Sequence, residues 1–176
     1  SDLERLKKRN DDANRKLKET LDRVEKENRD VNRKLEKELK EVEEKNRREN
    51  KKVRDRGGGG KELEDRVREL KEEHERLVEE IKKELEELEK RHRKLVRDIE
   101  EIVRTLAKEH EDMKRKGTDD KEELDKILTR SEEVARRIIE ELKKILEETR
   151  KSAERVIRRL EEILKESERE VREVET

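Results

Sequence analysis

The chain has 176 residues, of which 61% are Asp, Glu, Lys or Arg and 26% are hydrophobic, with no Pro, Cys, Trp, Tyr or Phe. Its 53 basic and 54 acidic residues are interleaved and leave a formal net charge of −1, so no electrostatic footprint for nucleic acid or anionic lipid exists. Without cysteine there is no disulfide framework or thiolate metal site.

No apolar run approaches the roughly 20 residues that span a bilayer, and no signal peptide is evident. A composition rich in Ala, Glu, Lys, Leu and Arg points to long helices. Ordinary globular domains rely on aromatics for much of their buried area. The expectation is an all-α protein in which each helix covers one narrow stripe.

A first helix is expected from about residue 2 to 56, capped by Ser1 or Asp2. Its inward positions step mostly by threes and fours, the mark of an amphipathic helix. They also repeat at eighteen residues: Leu3, Leu21 and Leu39 correspond, as do Leu6, Val24 and Val42. Two asparagine series obey the same interval, Asn10, Asn28 and Asn46, then Asn14, Asn32 and Asn50. Gly57 to Gly60 break the helix, and four glycines read as a flexible linker reaching about 13 Å when extended. That suffices to cross to an antiparallel neighbour at about 8–10 Å.

A second helix is expected at about 61–116. Its stripe contains Leu70, Leu77, Leu88, Leu95, Leu106 and Met113, together with His74, His92 and His110, again eighteen apart. Eighteen residues are five turns of an ideal α-helix, so all three histidines point the same way. Lys114, Arg115 and Lys116 suit the C-terminal end of the dipole, and Gly117 is the expected left-handed residue after the helix.

The turn is placed at 117–119, with Thr118 or Asp119 as the cap of a third helix at about 120–174. That helix has the broadest apolar face, about 140° against about 100° for the first, with Ser131, Thr149 and Ser167 at eighteen-residue intervals within it. The chain therefore reads as one elongated, up-down-up antiparallel three-helix bundle. A mean of 3.6 residues per turn matches the relaxed helix, so the helices are expected to be nearly straight and about 80 Å long.

Counting outward from the two turns puts Asn46 level with His74, Asn28 with His92 and Asn10 with His110. Ser167 falls level with Asn50, Thr149 with Asn32 and Ser131 with Asn14. Three His–Asn–Asn–Ser/Thr layers about 27 Å apart result. A buried amide left unpaired costs about 1–3 kcal/mol, so six inward asparagines make sense as partners in hydrogen-bonded layers. Such layers discriminate against wrong registers and wrong oligomers, a need sharpened by a repeat that permits slippage by a whole unit.

Histidines about 27 Å apart cannot share a metal within one chain. No nucleophile–base pair, phosphate loop or paired carboxylate in an apolar site is present. No catalytic residue, metal, cofactor, small-molecule ligand, nucleic acid or membrane partner is expected. The partner is the chain itself, through helix packing within one molecule or a homo-oligomer.

The eighteen-residue repeat, the absence of Pro and aromatics, the Gly117–Asp120 turn and the layered polar residues resemble computationally designed helical bundles with buried hydrogen-bond networks. Some of that class carry histidines that make assembly pH-dependent. The resemblance implies a structural scaffold whose networks specify register, without natural catalytic function. The alternative is a switch that loosens when buried histidines protonate.

Overall fold

The computed structural model describes residues 1–117 and 120–175, the last in its backbone only. Three helices account for nearly all of it: α1 (Asp2–Asp55), α2 (Gly60–Arg115) and α3 (Lys121–Glu175). The molecule is a three-helix bundle. Each helix is uninterrupted because the sequence holds no proline and no glycine between its ends.

The start of α1 is a capping box. The Glu4 N–H donates to Ser1 Oγ at 3.3 Å, while the Glu4 carboxylate sits 3.6 Å from the terminal amine. Acidic residues open all three helices and basic residues close them, as the helix dipole favours.

The chain divides into two compact units. One comprises Ser1–Asn28 with Leu88–Glu147, the other Arg29–Glu87 with Glu148–Thr176, so each contains a segment of every helix. The first unit is built around Leu17, Val24, Ile99, Ala135, Ile138, Leu142 and Ile145. The second is built around Leu35, Val42, Leu70, Ile81, Ala153, Val156, Leu160 and Ile163, with Val53, Leu63 and Val171 closing its end beside the glycines.

The two cores are homologous by position. Leu17, Leu35 and Val53 are buried eighteen residues apart, and so are Leu124, Leu142 and Leu160. Ala135 and Ala153, both fully covered, leave the least side-chain bulk between α3 and its neighbours. Fully burying a Leu, Ile or Val contributes about 1.5–3 kcal/mol, and only Val174 is an exposed large hydrophobe among the described residues.

Cross-helix ion pairs report the helix directions. Lys34 meets Glu84 and, eleven residues on, Lys45 meets Glu73, eleven residues back, so α1 and α2 are antiparallel. Glu43 pairs with Arg159 and Arg54 with Glu170, so α1 and α3 run parallel. In the first unit, Arg9 pairs with Glu109 and Lys114 with Asp125. These pairs are largely solvated and each is worth about 0–1 kcal/mol. They mark register more than they hold it.

The glycine joint is a built turn. Gly57 has φ +70°, its N–H donates to the Arg54 carbonyl at 3.0 Å, and the Gly58 N–H donates to the Val53 carbonyl at 2.8 Å. That pair of bonds is a Schellman motif. A Cβ on Gly58 would lie 2.7 Å from Val53 Cγ1 and 2.9 Å from the Val53 carbonyl oxygen. The Gly59 carbonyl accepts from Leu63 N–H, which makes Gly59 the N-cap and puts Gly60 inside α2.

The second turn has the same left-handed exit, at Gly117 with φ +82°. Asp120 takes the N-cap position of α3, its carbonyl accepting from Leu124 N–H at 3.0 Å. The expected caps Thr118 and Asp119 lie outside the described residues.

Three of the four glycines should therefore respond differently to substitution. Gly57→Ala should cost about 1–2 kcal/mol, because an L-residue is strained at positive φ. Gly58→Ala should also destabilise, through contact with Val53. Gly59→Ser should be neutral or stabilise by a few tenths of a kcal/mol as a better N-cap. Denaturant midpoints of the three variants check this order.

Candidate functional site

Among the described residues Val174 is the one exposed large hydrophobe, and the polar residues of chemical interest lie on the inward stripes. Asn10, Asn28, Asn50, His92, His110, Ser131, Thr149 and Ser167 are all buried. Asn14, Asn32, Asn46 and His74 are half-buried.

In the first unit, Asn10 and His110 are joined. Asn10 Nδ2 donates to His110 Nε2 at 3.1 Å across the α1–α2 contact. An amide NH₂ can only donate, so Nε2 is the acceptor and the neutral ring carries its proton on Nδ1. That nitrogen has no hydrogen-bond partner, and neither do Asn10 Oδ1, Asn14 Oδ1 or Ser131 Oγ.

Burial holds the His110 pKa below its ordinary value. The Leu124 carbonyl beside the ring pulls it up, Lys114 pushes it down, and Glu109 and Asp125 raise it. His92 is also lowered, chiefly by burial, with the Leu142 carbonyl raising it, Arg91 lowering it and Glu27 raising it. The two histidines thus meet carbonyls of α3 eighteen residues apart, as antiparallel helices sharing one period require. Asn28, level with His92, is buried with neither amide atom bonded.

In the second unit the bonds run differently. Asn46 Nδ2 donates to Ser167 Oγ at 3.0 Å, and Asn50 Nδ2 donates to Asn46 Oδ1 at 3.4 Å. Level counting pairs Ser167 with Asn50 and Asn46 with His74. The hydroxyl instead takes the amide one turn away, and His74 Nε2 is left without a partner. A groove of ≈ 170 Å³, lined by Asn46, Asn50 and Ser167 between Arg54 and Arg159, opens onto this cluster. Thr149 is fully buried and Asn32 half-buried, and Thr149 Oγ1 and Asn32 Oδ1 have no partner.

Among the described residues, no group of three or more His, Asp or Glu could hold a metal ion. No helix is long and apolar enough to cross a membrane.

Sequence reasoning missed Glu38. Burial raises its carboxyl pKa; Lys34 opposes that, while Glu80, Glu84 and Glu41 add to it. Its position one residue from Leu39, at the border of the α1 stripe, was the available signal.

No family model matches the chain, and no curated protein is similar to it. Among solved structures it is similar to a computationally designed three-helix bundle, with 18% identity over 98% of this chain and 88% of that one and a TM-score of 0.50. The likeness is one of fold. What the two share is the three-helix architecture.

The orphaned and the bonded polar atoms should separate on substitution. Thr149→Val removes an unpartnered buried hydroxyl at equal volume and should stabilise by about 1 kcal/mol. Asn10→Ala leaves His110 Nε2 without its donor and should cost about 1–3 kcal/mol. Urea unfolding of both variants at pH 7.5 measures the contrast.

Proposed function

We propose that the chain is a designed scaffold whose inward His, Asn and Ser/Thr residues act as register marks for the helices that carry them. The bond from Asn10 to His110 carries this reading. It joins two side chains one hundred positions apart, each bracketed along its helix by aliphatic residues. Displacing α1 by one turn would break it and bury both groups unpaired, and a lost buried bond costs more than a made one contributes.

Among the described residues Val174 is the one exposed large hydrophobe, and residues such as Leu77, Leu85, Leu95, Val96, Ile102 and Val103 are half-buried. The form that this reading favours is a monomer, in which the three stripes cover one another, with a homo-oligomer as the alternative. Multi-angle light scattering at pH 7.5 should give the chain mass of 21.5 kDa, and a dimer or trimer would overturn this reading.

His92 and His110 favour a second property, loosening in acid. Both are held below the ordinary histidine pKa by burial, so the unfolded chain binds protons at a pH where the folded chain does not. Stability is full above the unfolded value of about 6.5 and falls with pH until the folded values are reached. The geometry supplies a reason at His110: a proton on Nε2 would face the Asn10 NH₂, so the bond must break or the amide must turn.

Each histidine changes stability by at most about 1.4 kcal/mol per pH unit, and the pair by about 2.7 kcal/mol. Glu38 works in the opposite direction. Its raised pKa lets the folded state bind a proton first, which favours folding as carboxylates titrate. The loss between pH 6.5 and 5 therefore belongs to the histidines. Denaturant midpoints at pH 7.5 and 5.5 should diverge for the parent and converge for a His92→Asn/His110→Asn variant; equal acid sensitivity would rule the pH response out.

A further inference from the structure

Of the three trios that the eighteen-residue repeat makes, the asparagine is bonded in two: Asn10, His110 and Ser131 in the first unit and Asn46, His74 and Ser167 in the second; Asn28 of the remaining one has neither amide atom bonded. Each trio has one asparagine on α1, one histidine on α2 and one hydroxyl on α3 at matching positions. Their hydrogen bonds differ. In the first trio the amide bonds the histidine, and the Ser131 hydroxyl has no partner. In the second the amide bonds the hydroxyl, and His74 Nε2 has no partner. The orphan of one trio is the bonded group of the other.

We propose that the α1 asparagine of each trio is a two-position hydrogen-bond switch, turning its amide between the α2 histidine and the α3 hydroxyl. An amide NH₂ that donates to one of two acceptors on different helices leaves the other without that donor. Each setting makes one amide bond of ordinary length, 3.1 Å or 3.0 Å, and strands the group that the other setting bonds, Ser131 Oγ in the first trio and His74 Nε2 in the second.

What separates them is local. Asn50 donates to Asn46 Oδ1 and steadies the amide turned toward Ser167. In the first trio Asn10 Oδ1 has no donor, although Asn14 holds the position corresponding to Asn50. The setting decides the histidine tautomer. A ring that accepts from Asn10 keeps its proton on Nδ1, whereas His74, without that donor, is free to populate both neutral forms.

The inference rests on reading these residues as a network, and it fails separately from the scaffold proposal. The scaffold fails if light scattering or circular dichroism shows no monomeric three-helix state, whatever the tautomers do.

The test is the side-chain nitrogen spectrum of the full ¹⁵N-labelled chain at pH 7.5. The parent should show His110 as a single Nδ1–H tautomer and His74 as a mixture. Ser167→Ala removes the competing acceptor, so the Asn46 amide should turn and move His74 to the His110 pattern. Ser167→Thr keeps the hydroxyl and should leave His74 as in the parent, and Ser131→Ala should leave His110 unchanged.

A second pair of variants covers a Ser167→Ala chain that misfolds. Asn10→Ala should shift the His110 tautomer balance, with the Leu124 carbonyl beside the ring still favouring Nδ1–H, while Asn46→Ala should leave His74 as it was. A His74 spectrum insensitive to Ser167→Ala, or equal responses of the two histidines to loss of their asparagines, would overturn the switch.

Discussion

Everything in this molecule depends on burying a narrow apolar stripe on each of three helices that are otherwise almost entirely charged. With 26% hydrophobic residues and no aromatics, no helix can be covered by a single neighbour, and isolated helices of such composition owe most of their stability to packing. The stripe has to stay on one side for fifty residues. A five-turn period does this, because eighteen residues return each position to the same face without supercoiling. Leu17, Leu35 and Val53 are buried alike for that reason, and so are Leu6, Val24 and Val42.

The same period makes the stripe uninformative about position, since an aliphatic side chain packs almost as well one turn away. In the proposed reading, polar groups supply the missing information at a cost in stability. The cost falls mostly on α1, which has six inward asparagines and the lowest mean hydropathy of the three helices. Slippage by a whole repeat is prevented inside one chain by a different element. Four glycines reach about 13 Å, short of the roughly 27 Å of an eighteen-residue step, and two of them are held in a hydrogen-bonded turn. The errors left for the asparagines to prevent are slips of a turn or two.

The helices, their directions and the left-handed Gly117 were legible because they follow from period, caps and breakers that act locally. The Asn10–His110 pairing was legible too, since counting from a turn fixes height along an antiparallel pair. Height alone does not say which way a side chain turns. Asn46 and Asn50 are one turn apart on the same face, so counting assigns Ser167 to Asn50, whereas side-chain direction gives it to Asn46. Counting also places His74 with His92 and His110, although His74 is half-buried. The glycine joint reads as loose because four identical residues hide their separate roles: Gly57 supplies the positive φ, Gly58 the space beside Val53 and Gly59 the cap.

The central claim is that buried amides, not apolar packing, fix how α1 is set against its neighbours. Spin labels on Lys34→Cys and Glu84→Cys would report that setting directly, because the native side chains face each other across α1 and α2 at 2.7 Å. The measurement is the label–label distance distribution in the parent and in a variant with all six α1 asparagines replaced by leucine. The expected result is one narrow distance in the parent. The leucine variant should resist denaturant better yet show further distances displaced by about 5.4 Å, one helical turn. One identical distance in both proteins would contradict the account.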